Sequence, residues 1–381
     1  MIYFDNAATT YPKPESVYNE MDKFYREYGV NAGRGSYQVA NEASRLIDET
    51  REKVASVLNV KQNKEIVFTE SATIAINLIL KGLDWNKGDV VYYSPFEHNA
   101  VLRSLYYLKD KYNLKLRQIP VEEDSLEFKL DKLKQMFIKE TPRLVAVSHV
   151  SNVCGLIAPV EQIAKLAREY NSSVLVDGAQ GAGLVDVNLE HVDYYVWTGH
   201  KTFYGPFGIA GIIMDENAEE PATLIHGGTG RASERKNMPQ QIPVKYEAGS
   251  SNIQAIAGLN TALEWLQEKD IETIFKHEKE LTQELIAMLN EFMEIDIFIP
   301  DNLENHFNVV SVSVSGYSPH NIGKILDEKF NIAVRTGLHC APETHEFLGT
   351  MPNGLVRFSI GYFNDKNNIN NLKDALNDFL I

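Results

Sequence analysis

The chain reads as an α/β protein with a mostly parallel sheet, followed by a smaller α+β unit. Three observations give this reading. From about residue 65 to 215, short apolar runs alternate with helical patterns. Such alternation builds a parallel sheet covered on both faces. Two of the runs end in reactive residues, a carboxylate at Asp177 and an amine at Lys201, and ligands of open α/β sheets sit beyond the carboxyl ends of strands. After about residue 260 the alternation stops and a long charged stretch begins.

The apolar runs are Ile66–Thr69, Val90–Ser94, Leu144–Val150, Val174–Asp177, Tyr194–Trp197 and Gly208–Met214. Between the third and fourth, Pro159 opens a helix with apolar Val160, Ile163, Leu166 and Ala167, and Asn171 is placed to end it. One helical stretch is expected from Thr261 to Phe292, leading into an alternating strand, Val309–Val314. Ser318-Pro319 caps a helix ending near Phe330. Strand-like runs follow at Ile332–Arg335 and Leu355–Ile360, and a last helix carries Ile369, Leu372, Leu376 and Phe379 on one face. The expected division is an N-terminal segment, 1–14, a large domain, 15–260, and a small domain, 261–381.

Composition narrows the class. The 381 residues suffice for two or three domains, and 44% hydrophobic with 23% charged residues is ordinary for a globular protein. A net charge of −15 argues against a nucleic-acid or anionic-membrane surface. No window approaches the roughly 20 apolar residues of a membrane span. The opening Met-Ile-Tyr-Phe-Asp-Asn is not a cationic, apolar signal segment. Cys154 and Cys340 make no disulfide framework. The expected compartment is the reducing cytoplasm.

Chemistry-bearing residues gather after the strands. Ser71-Ala72-Thr73 opens the apolar helix Ile74–Leu80; the free N–H groups of a helix N-terminus suit a phosphate, though a plain N-cap by Thr69 or Ser71 is the competing reading. His98 follows the second run, where an imidazole can stack on a flat ring, shuttle protons or serve as a structural hydrogen-bonding group. Asn152 also follows a strand and can donate to a ring hydroxyl. Asp177, with Gln180 beyond it, and Lys201, next to His200, stand at successive strand ends. A helix cap and a solvated lysine would explain each one separately but not the pair. A carboxylate that keeps a pyridine nitrogen protonated, and an amine that forms a Schiff base with an aldehyde, are what pyridoxal 5′-phosphate requires of a protein.

The pattern resembles the class V, fold-type-I pyridoxal-phosphate enzymes and, within them, the cysteine desulfurases of the SufS/CsdA-like group. The likeness runs from Phe4-Asp5-Asn6-Ala7-Ala8-Thr9-Thr10 to Val356-Arg357-Phe358-Ser359. Its most specific marker is Arg335-Thr336-Gly337-Leu338-His339-Cys340-Ala341-Pro342. The resemblance implies a large domain with a mostly parallel seven-stranded sheet plus a smaller α+β domain. It implies L-cysteine as substrate, alanine as product, a persulfide on Cys340, no metal, a homodimer, and a protein that accepts the sulfur. Lys201 is implied to carry the cofactor and to act as base, Asp177 to pair with the pyridinium nitrogen, and His98 to stack on the ring and assist catalysis. Asn152 and Gln180 are implied to contact the ring hydroxyl region, and Ala72, Thr73, Thr198 and His200 to hold the phosphate. Ser250 would reach the phosphate of the other subunit. Arg357, with Asn152 beside it, would clamp the substrate carboxylate, a bidentate task suited to guanidinium.

The chain departs from the pattern at three places. Gly33 stands where SufS-like enzymes usually carry a histidine, Ser71-Ala72 replaces the more usual Gly-Thr, and Glu343, His345 and Glu346 have no assigned place. The same site supports selenocysteine or cysteine-sulfinate cleavage, and a class V aminotransferase or epimerase shares the fold. A non-catalytic sulfur carrier or scaffold is the remaining reading, against which Lys201, Asp177 and Arg357 argue. A thiol needs a nearby cation or imidazole to react at neutral pH; His98, His339 and Arg335 are the candidates beside Cys340. Arg335 is expected to order the Cys340 loop, Cys154 to be packed, and Glu97 and Asp186 to be structural.

Overall fold

The computed structural model describes residues 1–32, 35, 37–61, 63–230 and 234–380. Gly33, where a histidine is usual, lies outside the described residues. The chain begins with β1 (Ile2–Tyr3), α1 (Glu15–Tyr28) and α2 (Gln38–Val57). The alternating region follows as β2 (Lys64–Thr69), α3 (Ala72–Gly82), β3 (Val90–Tyr93), α4 (Asn99–Tyr112), β4 (Lys115–Gln118), α5 (Leu130–Lys139), β5 (Leu144–Ser148), α6 (Val160–Glu169), β6 (Ser173–Asp177), β7 (Tyr194–Thr198) and β8 (Ala210–Asp215). Then come α7 (Ile253–Lys269), α8 (Ile271–Leu289), β9 (Ile295–Phe298), β10 (Val309–Val314), α9 (Pro319–Phe330), β11 (Ile332–Ala333), β12 (Arg335–Gly337), α10 (Pro342–Phe347), β13 (Leu355–Ser359) and α11 (Lys366–Leu380).

The large sheet has seven strands in the order β2-β8-β7-β6-β5-β3-β4. It is parallel except for β8, which runs antiparallel to both neighbours. Central strands are apolar throughout because helices cover both faces; Val145, Ala146, Val147, Leu175 and Val176 are fully buried. A second, antiparallel sheet, β12-β13-β10-β9, belongs to the C-terminal part. Its core joins Val310, Val312, Phe358, Leu285, Leu326 and Leu372. Among the described residues, no helix is long and apolar enough to cross a membrane.

Three elements differ from the sequence expectation. β4 (Lys-Leu-Arg-Gln) is polar and half-exposed; it is an edge strand, where charge discourages further pairing, so it carries no apolar run. The long helical stretch after residue 261 is two helices that start earlier, at Ile253. Asp270 breaks them with φ +65 and caps α8 through Thr273 N. The run Ile332–Arg335 is split between sheets, with Ile332 and Ala333 pairing β1 and Arg335 pairing β13.

The N-terminal segment joins both parts. Phe4 is buried in the C-terminal core, Asn6 Nδ2 donates to Ser359 O at 2.9 Å, and Thr9 Oγ1 donates to His200 O at 2.9 Å. A second knot centres on Glu278 of α8, only 1% exposed. Its carboxylate accepts from the Tyr204 hydroxyl and from Asn308 Nδ2 (2.9 Å), while Tyr204 Oη accepts from Tyr362 N (2.6 Å). Burial pushes the Glu278 carboxyl up from 4.5 to about 7. A raised value in the folded state means that the native chain binds the proton more tightly. This contribution to stability is therefore present below 4.5 and lost as pH rises through about 7. Glu278→Gln keeps a neutral group and is expected to flatten this part of the profile. Urea midpoints at about pH 5 and about pH 8 should lie closer together in the variant than in the wild type.

Candidate active site

Three neighbouring parallel strands end at one edge of the sheet. The register pairs Ser148 of β5 with Asp177 of β6, and Asp177 with Val196 of β7. The polar residues after these strands therefore share a rim, and α3 and α4 open at the same rim because they follow β2 and β3. Ala72, Thr73, His98, Asn152, Asp177, Gln180, Thr198, His200, Lys201, Cys340 and Arg357 line one cavity there, of about 240 Å³. That exceeds the roughly 150 Å³ that holds a benzene-sized ring. Ser250 is not among its lining residues. It lies in a separate groove with Gly249 and Asn252, where Asn31 Nδ2 donates to its hydroxyl at 3.1 Å.

Asp177 and Lys201 are the electrostatic pair of the cavity. Burial pushes the Asp177 carboxyl up, against the Ala179 amide (3.0 Å) and the Lys201 charge, which favour its anion. Burial lowers Lys201 from 10.5 to about 8, helped by Arg357 and Arg335. Gly178 permits the turn after Asp177: a Cβ there would run into the Tyr195 ring.

The other side chains are held by specific partners. Ser71 caps α3 through Ile74 N (3.3 Å). Among the described residues, nothing accepts from the Ala72 and Thr73 amides, so the helix start keeps free donors for an anion. His98 Nδ1 accepts from Ala100 N at 3.0 Å, capping α4. The structural and functional readings of this residue thus coexist, since the cap orients a ring that lines the cavity. Gln180 Nε2 donates to Ala7 O (2.8 Å), and Asn152 Nδ2 to His339 O (2.7 Å). Arg357, 1% exposed, donates to Asp5 Oδ1 (2.7 Å) and Asn152 O (2.9 Å), and its Nε has no partner among the described residues.

Cys340 follows β12 in a tight turn. His339 and Cys340 have φ +49 and +59, a left-handed conformation that costs roughly 1–2 kcal/mol for each non-glycine residue. Arg335 Nη2 lies 3.4 Å from Cys340 Sγ. Burial holds His98 at about 4 and His339 at about 2. Both imidazoles are neutral near pH 7, which leaves Arg335 as the charge on the thiol among the three candidates.

Cys154 is fully buried beside Phe96 and Leu156, as expected from its apolar neighbours. Glu97 braces two strand ends, accepting from Ser94 Oγ (2.6 Å) and Ser148 N (2.6 Å). Ala7, Ala8, Ser148 and Ala179 also line the cavity but were not assigned from sequence. Only the motif Phe4–Thr10 hinted at the first two.

The residues fit pyridoxal 5′-phosphate. A buried carboxyl pushed up by desolvation calls for a cation against it, which a protonated ring nitrogen supplies. The open α3 start and the Nδ1 of His200, which has no partner among the described residues, suit a phosphate, and Lys201 suits an aldehyde.

Residues 2–372 match the class-V aminotransferase family, whose members depend on pyridoxal phosphate. A probable cysteine desulfurase of Methanothermobacter thermautotrophicus is 32% identical, over 99% of this chain and 94% of that protein. The apo structure of a cysteine desulfurase from Thermococcus onnurineus is similar with a TM-score of 0.91 at 32% identity, covering 99% of this chain and 94% of that one. The cysteine desulfurase CsdA of Escherichia coli gives 0.87 at 28% identity, with 99% and 94% covered. A cavity built at the strand ends around Lys201, Asp177 and Cys340, together with likeness over nearly the whole length, places this chain in the class-V aminotransferase family, among the cysteine desulfurases.

Proposed function

We propose that this chain removes sulfur from L-cysteine with pyridoxal 5′-phosphate as cofactor, releasing alanine and leaving a persulfide on Cys340. The observation that carries the proposal is one cavity lined by Lys201, Asp177, Arg357 and a thiol that Arg335 approaches to 3.4 Å. Lys201 would hold the cofactor aldehyde, Asp177 its ring nitrogen, His98 its ring face, and Gln180 and Asn152 its hydroxyl. Ala72, Thr73, Thr198 and His200 would hold its phosphate. When bound, the cofactor supplies an electron sink for charge left at the substrate α-carbon.

The protein's own groups do the rest. Arg357 offers guanidinium N–H groups to the substrate carboxylate. Lys201, neutral in part near pH 8, accepts the α-proton at Nζ. Cys340 Sγ, with Arg335 Nη2 3.4 Å away, attacks the substrate sulfur as a thiolate. An S–S bond forms as the C–S bond breaks; the electron pair stays with the substrate carbon, which takes up a proton to become the methyl group of alanine, and Lys201 Nζ returns a proton to the α-carbon. The cavity lies between the proposed large domain, 15–260, and small domain, 261–381, and segment 1–14 closes one wall. We also infer a homodimer in which Ser250, outside the cavity of its own subunit, reaches the phosphate of the other. A cytoplasmic setting would keep Cys340 reduced until it receives sulfur from the substrate.

Cys340→Ala is expected to keep the spectral change on adding L-cysteine but to form no persulfide; alanine release at the wild-type rate would remove the nucleophile assignment. In cofactor-free protein, trapping of Lys201 by pyridoxal and borohydride should rise as pH passes about 8, because the depressed value makes the amine neutral above that point. A rise centred on the ordinary 10.5 would contradict it. Arg357→Lys keeps the charge but loses the planar fork, and the KM for L-cysteine is expected to rise about tenfold. An unchanged KM would take the carboxylate clamp away from Arg357.

A further inference from the structure

Glu343 and His345 have no part in the chemistry above, yet both are buried a few residues from Cys340, at 7% and 0% exposure. Glu343 lies in the first turn of α10, after Pro342. Its Oε1 accepts from the Tyr106 hydroxyl of α4 at 2.8 Å, and its Oε2 from Gln118 Nε2 of β4 at 2.7 Å. The carboxylate also holds the Tyr106 phenol above its ordinary value. We propose that Glu343 is a positioning residue for Cys340: pinned to Tyr106 and Gln118, it keeps the left-handed turn that presents the thiol inside the cavity. This rests on Cys340 as the sulfur-accepting nucleophile.

A left-handed pair of non-glycine residues persists only where its surroundings over-determine it. Both flanks of this turn are tied. On the near side, Cys340 O accepts from Asn99 N (2.7 Å) and His339 O from Asn152 Nδ2 (2.7 Å). On the far side, Thr344 Oγ1 donates to Pro95 O (3.0 Å), and the Phe347 ring meets Phe96 edge-on at 5.5 Å. Glu343 fastens the same helix to a different surface, the outer edge of the large sheet, through β4. With Glu343 gone, α10 can pivot about the Phe347 end, and the strained turn can relax to carry Sγ away from Arg335. An in-line attack on sulfur tolerates little of that movement, since a displacement of about 1 Å can cost about 10²-fold in rate.

The test compares holoenzyme carrying Glu343→Ala, Glu343→Gln or Tyr106→Phe with the wild type. Four quantities are measured: kcat, KM for L-cysteine, the rate of Cys340 alkylation by iodoacetamide, and Tm. Glu343→Ala is expected to lower kcat by about 10²-fold with KM little changed, and to raise the alkylation rate severalfold as the thiol leaves the cavity, read at about pH 10, where a thiol is ionised without help from a cation. Glu343→Gln should restore both values, because Gln118 is exposed and can turn its amide to match. Tyr106 is 43% exposed, so Tyr106→Phe removes one hydroxyl without disturbing the core; it should show a smaller change in the same direction. An alkylation rate equal to wild type in both Glu343→Ala and Tyr106→Phe overturns the proposal, and so does a loss of activity that only follows Tm. Alkylation does not depend on desulfuration. If Cys340→Ala alone retained activity, the nucleophile reading would fall while the pinning of the turn was still measured.

Discussion

The site depends on β5, β6 and β7 running side by side in one direction. Their register sets Ser148, Asp177 and Val196 along one line. Four of the cavity residues then leave the sheet within a few residues of that line: Asn152 after β5, Gln180 after β6, His200 and Lys201 after β7. A slip of one residue in β6 would turn Asp177 to the other face and leave Lys201 without its carboxylate. Both faces of these strands are close-packed under helices, so such a slip would also set side chains of the wrong size against them.

Burial governs the electrostatics of the same cavity. It lowers His98, His200 and His339 to about 4, about 3 and about 2, so the imidazoles are neutral near pH 7. Positive charge is left to guanidinium groups, which stay protonated where imidazole does not. Arg335 stands against the thiol, while Arg357 is shared between Asp5 and the space where a carboxylate would bind. Desolvation thus leaves a partly neutral amine at Lys201 and uncharged rings at the histidines, with positive charge left to arginine.

Much of this was legible in the sequence because strand-end residues announce themselves. Asp177 and Lys201 follow unbroken apolar runs, and a run buried on both faces can end only at the sheet rim. β4 was hidden because an edge strand needs charge rather than an apolar pattern. The break at Asp270 was hidden because one residue with positive φ interrupts a stretch that is otherwise helical in composition. Contacts between distant segments left no local signal. The hydrogen bonds of Glu343 to Tyr106 and Gln118 span more than 200 residues of sequence, and the Ala7 and Ala8 wall comes from the far end of the chain. Departures from the family pattern at residues 343 to 346 marked where to look, but not what would be found.

The opening segment has a consequence for the order of assembly. Tyr3 and Phe4 lie against strands made near the end of synthesis, and Asn6 is tied to Ser359. A nascent chain with its large sheet already formed still lacks the partners that fix its first residues. Those residues must wait, unpaired, until some 350 later ones have left the ribosome. The reaction chamber is therefore among the last parts of the molecule to be completed, and a chain truncated before β13 would have a folded sheet with an open wall.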